Sequence, residues 1–110
     1  MTDRTNLQAC RYMEDVFRML GKRWMGQIID LLFQRPARFN ELAKALPQLS
    51  KRMLDERLTE LIESGIVIRE VDPGPPLAVT YSLTPHGQAL EPAMNMLRAW
   101  AGAPMPEPAD

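Results

Sequence analysis

The sequence predicts a mainly α fold with a small β-hairpin, an α+β domain, on three observations. Residues 38–64 carry two short helical patterns separated by a proline, and residues 66–83 carry two β-type runs around a proline-rich tip. A further amphipathic pattern lies on each side of this block.

Taken in order, Met13, Val16, Phe17 and Leu20 recur at the i, i+3, i+4, i+7 spacing of one helical face, which Gly21 is expected to close. A second helix starts near Trp24. Its Trp24, Ile28, Ile29, Leu31 and Leu32 make an apolar surface wide enough for burial on most sides, and Pro36 terminates it. Phe39, Leu42, Ala43 and Leu46 then line a short helix ended by Pro47. Ser50 is a good N-cap for a longer helix with Leu54, Leu58, Leu61 and Ile62 inward and Gly65 beyond its end.

From Ile66 to Val71 the chain is apolar and β-branched, Asp72-Pro73-Gly74-Pro75-Pro76 breaks any regular element, and residues 79–83 alternate. Thr84 is the N-cap of a last helix with Pro85 in its first turn, a stripe of Leu90, Ala93, Met94, Leu97, Trp100 and Ala101, and an early interruption at Pro92. Helix, turn, helix and hairpin in that order make a winged helix-turn-helix, with the two-helix unit at 39–64 and the wing at 66–83. The segment 84–101 follows a complete fold, so it is read as a dimerisation helix, and residues 1–101 are expected to be a single domain. Residues 102–110 are rich in proline and are expected to be a disordered tail.

At 110 residues the chain is of single-domain length. It has no apolar run that would span a membrane and no basic-then-apolar leader, so cytoplasmic location is the default. The net charge of −1 offers no overall attraction to a polyanion, but its distribution is uneven. Residues 1–57 hold eleven Lys/Arg against seven Asp/Glu, and residues 58–110 hold two against seven. The two-helix unit sits mostly in the basic half, as a DNA-facing surface requires. Catalysis has no visible basis, since nucleophile–base sets, Gly-rich phosphate loops and paired carboxylates are all lacking. One Cys and one His do not make a zinc site within a chain, and no cofactor is expected.

Helical geometry with Leu54, Leu58 and Leu61 inward turns Arg52, Glu56 and Thr59 outward. Because the N-terminal turn of a recognition helix enters the major groove, Ser50, Lys51 and Arg52 are the first candidates for DNA contact. Arg52 is the candidate base reader, since a guanidinium pairs two ways with guanine, while Ser50 and Lys51 suit phosphates. Glu56 either holds Arg52 or accepts from a cytosine amino group, and a plain solvated ion-pair face is the alternative. Arg38, Lys44, Arg57 and Arg69 complete the DNA-binding set. Lys22 and Arg23 either touch phosphates or simply surround Trp24.

Cys10, Leu20-Gly21-Lys22-Arg23-Trp24, Arg38-Phe39-Asn40-Glu41-Leu42, Met53-Leu54, Arg57-Leu58, Glu60-Leu61, Tyr81-Ser82-Leu83-Thr84 and Gly87 follow one another in a specific order. In these pieces, which cover nearly the whole chain, the sequence resembles the HxlR-type winged-helix transcriptional regulators. Within them it is most similar to the YodB-like, thiol-based sensors of quinones, diamide and hypochlorite. The resemblance implies a homodimeric repressor that binds double-stranded operator DNA through two recognition helices, with terminal helices forming the dimer contact. The wing departs from the pattern. Where similar regulators carry Lys or Arg just before the second wing strand this chain has Ala78, the tip offers Asp72, and Arg69 is the only cation of the hairpin.

Cys10 is the candidate redox-sensing residue, and being the only cysteine it has no partner for a disulfide within the chain. Arg11 beside it, Arg4 upstream and a place near a helix N-terminus favour the thiolate. The competing reading is a small buried hydrophobe. Sensors that pair this cysteine with a second, C-terminal one find no match here, since Trp100 is followed by Ala-Gly-Ala-Pro. An oxidant, an electrophile or a small thiol acting at Cys10, or pairing between chains, are the chemistries left. Two other functions stay open: a winged-helix module for a protein partner, and a regulator gated by an aromatic ligand among Trp24, Trp100, Met13 and Met96 of two subunits.

Overall fold

The computed structural model describes residues 6–104 and has the predicted mainly α architecture with one two-stranded antiparallel sheet. Its elements are α1 (Arg11–Leu20), α2 (Met25–Gln34), α3 (Phe39–Ala45), α4 (Lys51–Glu63), β1 (Val67–Asp72), β2 (Ala78–Leu83), α5 (Pro85–Gln88) and α6 (Glu91–Trp100). No described helix is long and apolar enough to cross a membrane. Arg4 and residues 105–110 lie outside the described residues, so the expectations placed on them do too.

The core gathers Met25, Ile28, Ile29 and Leu32 of α2, Leu42 of α3, and Leu54, Leu58 and Leu61 of α4 against Ile66, Val67 and Tyr81. Three helices thus pack on the base of the wing, as their inward stripes require. Around α4 both ends are closed chemically. Ser50 Oγ accepts from the Met53 N–H at 3.0 Å, and the Ile66 and Gly65 N–H groups return to the Leu61 and Ile62 carbonyls, each at 3.0 Å. Gly65 has φ +73, the left-handed conformation such a helix end needs.

β1 and β2 pair from Val67 opposite Leu83 to Asp72 opposite Ala78, and a third short segment joins them, where Ala37 exchanges both backbone hydrogen bonds with Tyr81. This bridge, unseen in the sequence because it is a single residue between Pro36 and Arg38, fixes α3 to the wing.

Gly21 closes α1 as expected, in the right-handed conformation at φ −74, and the left-handed residue of that bend is Trp24, at φ 77. An aromatic residue there carries a steric cost of about 1–2 kcal/mol, sustained because Trp24 packs on the core and the Arg23 guanidinium lies over its ring, 5.0 Å from the centroid. One expectation needs correction: the segment 84–101 is two helices rather than one interrupted helix. Thr84 caps α5 by accepting from the Gly87 N–H at 3.1 Å, the chain turns at Ala89 and Leu90, and Pro92 falls in the first turn of α6, where its missing N–H breaks no helical bond.

Neither α1 nor α6 contributes a fully buried residue. Tyr12, Met13 and Phe17 of α1, and Met96, Leu97 and Trp100 of α6, are exposed, with Trp100 at 87%. A charged contact, Arg98 to Asp30, fastens α6 to α2.

Candidate nucleic-acid interface

α4 stands on the core through Leu54, Leu58 and Leu61, which leaves Lys51, Arg52, Asp55, Glu56 and Thr59 exposed. The Arg52 side chain is 91% exposed, and its Nε lies 3.4 Å from Glu56 Oε1. Thr59 is turned back on the helix, its hydroxyl donating to the Asp55 carbonyl at 2.9 Å. The Ser50 hydroxyl spends its acceptor on the cap but keeps its proton free for a phosphate oxygen. Lys44, Lys51, Arg38 and Arg69 are exposed and have no ion-pair partner among the described residues.

Arg57 is placed differently from these cations. Its side chain is only 16% exposed and is bonded through two of its nitrogens, Nη1 donating to Glu60 Oε1 at 2.7 Å and Nε to the Arg23 carbonyl at 3.1 Å. Lys22 is likewise paired, with Glu60 Oε2 at 2.8 Å, which together with Arg57 holds the Glu60 carboxyl below the usual carboxylate range. Both side chains therefore tie α4 to the bend between α1 and α2.

Glu41, absent from the predicted set, organises the start of α3. It accepts from both terminal nitrogens of Arg35, at 3.3 and 2.5 Å, and from the Arg38 backbone N–H at 2.9 Å, and these bonds lower its pKa to about 2. The signal was present in the chain, a Glu three residues after the helix start, where a carboxylate reaches back to a free N–H. Arg38 is thereby fixed by its backbone while its guanidinium remains exposed.

On the wing, Glu70 and Asp72 share the face of Ile68, opposite Thr80 and Ala78, whereas Arg69 lies on the other face, opposite Tyr81. The tip therefore presents carboxylates and the exposed Leu77 instead of cations.

Cys10 is the N-cap residue of α1, exposed, with its carbonyl accepting the Glu14 N–H at 3.0 Å and its thiol making no cap bond. In the single chain Cys10 is therefore not buried in the core. An open cleft of about 440 Å³ lies between α1 and the end of α4, lined by Met19 and Met25 with Asp15, Arg18, Lys22 and Glu60 among its charged walls.

Comparison with known proteins gives this geometry a context. The pattern of the family described as "HxlR-like helix-turn-helix" matches residues 19–108. The transcriptional regulator YodB of Bacillus subtilis (strain 168) is 46% identical over 92 residues, which make up 84% of this chain and 82% of YodB. The structure of reduced YodB superposes with a TM-score of 0.79 at 44% identity, covering 94% of this chain and all of that one. Diamide-treated YodB gives 0.74 at 44% identity, covering 87% of this chain and 95% of that one.

Proposed function

Because the chain belongs to the HxlR-like helix-turn-helix family and is a transcriptional regulator of the YodB type, we propose that it is a homodimeric repressor that releases operator DNA when Cys10 is oxidised or alkylated. The observation that carries this reading is a division of surfaces. One exposed helix face bears Lys51 and Arg52, and two amphipathic terminal helices lie uncovered, one of them opening at the exposed thiol of Cys10.

In this reading the apolar faces of α1 and of segment 84–101 close against a second copy, since a contiguous exposed apolar patch marks an interaction surface. The dimer works on cytoplasmic DNA. Arg52 reads a base edge, Lys51 and Ser50 hold phosphates at the helix N-terminus, and Arg38 and Lys44 grip the backbone beside it. Arg69 adds at most a peripheral contact, because it is the only cation of a hairpin that also carries Glu70 and Asp72.

With one cysteine per chain, diamide would take two electrons and two protons from two thiols, either Cys10 of both subunits or Cys10 and a small thiol, while a quinone would alkylate the thiolate. Each product adds bulk or a covalent tie at the first turn of α1 and shifts the paired terminal helices. Selection of bound duplexes from a random pool, followed by gel shifts of reduced and diamide-treated protein, tests the reading. Steeply salt-dependent binding that diamide abolishes in the native protein but not in Cys10→Ser is expected. Equal release by both proteins would remove Cys10 as the sensor, and absence of duplex binding at low salt would favour a protein-binding module.

A further inference from the structure

The bend between α1 and α2 is bonded to the recognition helix through a closed ring. Lys22 Nζ donates to Glu60 Oε2, Arg57 Nη1 donates to Glu60 Oε1, and Arg57 Nε donates to the Arg23 carbonyl, at 2.8, 2.7 and 3.1 Å. The Lys22–Arg23 peptide bond completes the circuit. One carboxylate and one guanidinium of α4 thus grip two consecutive residues of another element, and a planar guanidinium bonded through two of its nitrogens fixes direction as well as distance.

The bend itself is stiff. Lys22 N–H returns to the Met19 carbonyl, the Met25 N–H to the Lys22 carbonyl, and Trp24 is held at φ 77 with Met25 buried behind it. Such a turn does not adapt to its partner; the partner adapts to it. Stability is a weak explanation for the ring, because Lys22 is nearly half exposed and pairs of that kind contribute little.

Geometry offers a better one. At about 100° per residue, Arg52, Glu56 and Thr59 fall within about 60° of one another on the outward face, while Arg57 and Glu60 lie about 60° apart on one flank between that face and the core stripe. Burial of Leu54, Leu58 and Leu61 sets which face of α4 points outward, but apolar contacts are non-directional and define the rotation only to within the width of that stripe. The ring on the flank adds a directional constraint to that burial.

We propose that Lys22, Arg57 and Glu60 are positioning residues that set the rotation of α4 about its own axis relative to α1, and so decide which outward side chains meet the base edges. The ring makes α1 and the recognition helix turn as a unit. It rests on the reading of α4 as the DNA-contacting helix, but its mechanical half does not need DNA.

Two measurements separate these halves. Nitroxides on Cys10 and on Thr59→Cys report the α1-to-α4 distance by pulsed electron resonance. Glu60→Gln and Lys22→Met are expected to shift or broaden that distribution, and Lys22→Arg to preserve it. On DNA, Glu60→Gln and Lys22→Met should reduce the preference for a selected duplex over a random one by about tenfold, with Lys22→Arg retaining it. Circular dichroism with an unchanged helical signal keeps unfolding out of the comparison.

An unchanged distance distribution in both variants would overturn the proposal. So would an equal loss on selected and random duplexes with a smaller salt slope in Lys22→Met, since that is the signature of a phosphate contact. If the native protein selects no duplex at all, the regulator reading fails while the distance measurement still decides the ring.

Discussion

Arg52 and Glu56 form an ion pair one turn apart on the outward face of α4, Nε to Oε1 at 3.4 Å, with the arginine side chain 91% exposed. An exposed pair with the cation on the N-terminal side is weak, so the guanidinium exchanges readily to a guanine edge that accepts two hydrogen bonds. Arg52→Ala is expected to cost about 1–3 kcal/mol on the preferred duplex and to relax preference at one base position. Lys44→Ala should weaken all sequences alike and reduce the salt slope by about 1. Gel-shift titrations on both duplex types check this, and an intact preference after Arg52→Ala removes it as the base reader.

Trp100, with Leu97 and Met96, forms an exposed apolar face on α6, and no residue of that helix is buried in the core. Trp100→Asp should therefore convert a dimer to monomers in sedimentation velocity while the monomer keeps its helical signal. A variant that still sediments as a dimer would place the subunit contact elsewhere.

Gly87 sits where β1 begins and β2 ends. A Cβ there would run into the Ile66 carbonyl oxygen and lie 3.1 Å from both Ile66 Cγ2 and Leu83 Cδ2. Backbone does not yield as a side-chain tip does, so Gly87→Ala should lower stability by about 1–3 kcal/mol in urea unfolding. A loss below about 0.5 kcal/mol, the range of ordinary surface changes, would show that α5 moves aside freely.

The Glu41 pKa is lowered from 4.5 to about 2 by its hydrogen bonds to Arg35 and to the Arg38 N–H. Because the folded value is depressed, its contribution is complete above the unfolded pKa and disappears as pH falls through the window from 4.5 to about 2. Glu41→Gln should be less stable than the native protein above that window and match it below. Thermal midpoints measured from pH 6 to pH 2 give the comparison, and parallel curves throughout would contradict the assignment.

Much of this protein is readable along the chain. The leucines of α4 recur at helical spacing, Ser50 and Gly65 bracket that helix with the correct cap chemistry, and Thr84-Pro85 opens α5. Outward placement of Arg52 and Glu56 follows from the same period. What escaped were relations between residues distant in sequence. Arg57 has the exposed-cation pattern of a DNA contact, and only the approach of the Arg23 carbonyl and Glu60 turns it into a brace. Trp24 gives no local sign of a left-handed backbone, since the strain is tolerated only because α2 and Arg23 pack around it. Nor does Ala37 announce a strand, being paired solely because Tyr81 arrives beside it.

By itself the sequence determined the helices up to α4, the wing strands, the family and the outward face of the recognition helix, because these follow from periodicity and capping within a few residues. Tertiary structure alone decided which cations are free and which are bound, that Cys10 is exposed, and that α4 is tied to the bend at Lys22 and Arg23. Charge pairing and burial depend on distances in space, which a period along the chain does not encode.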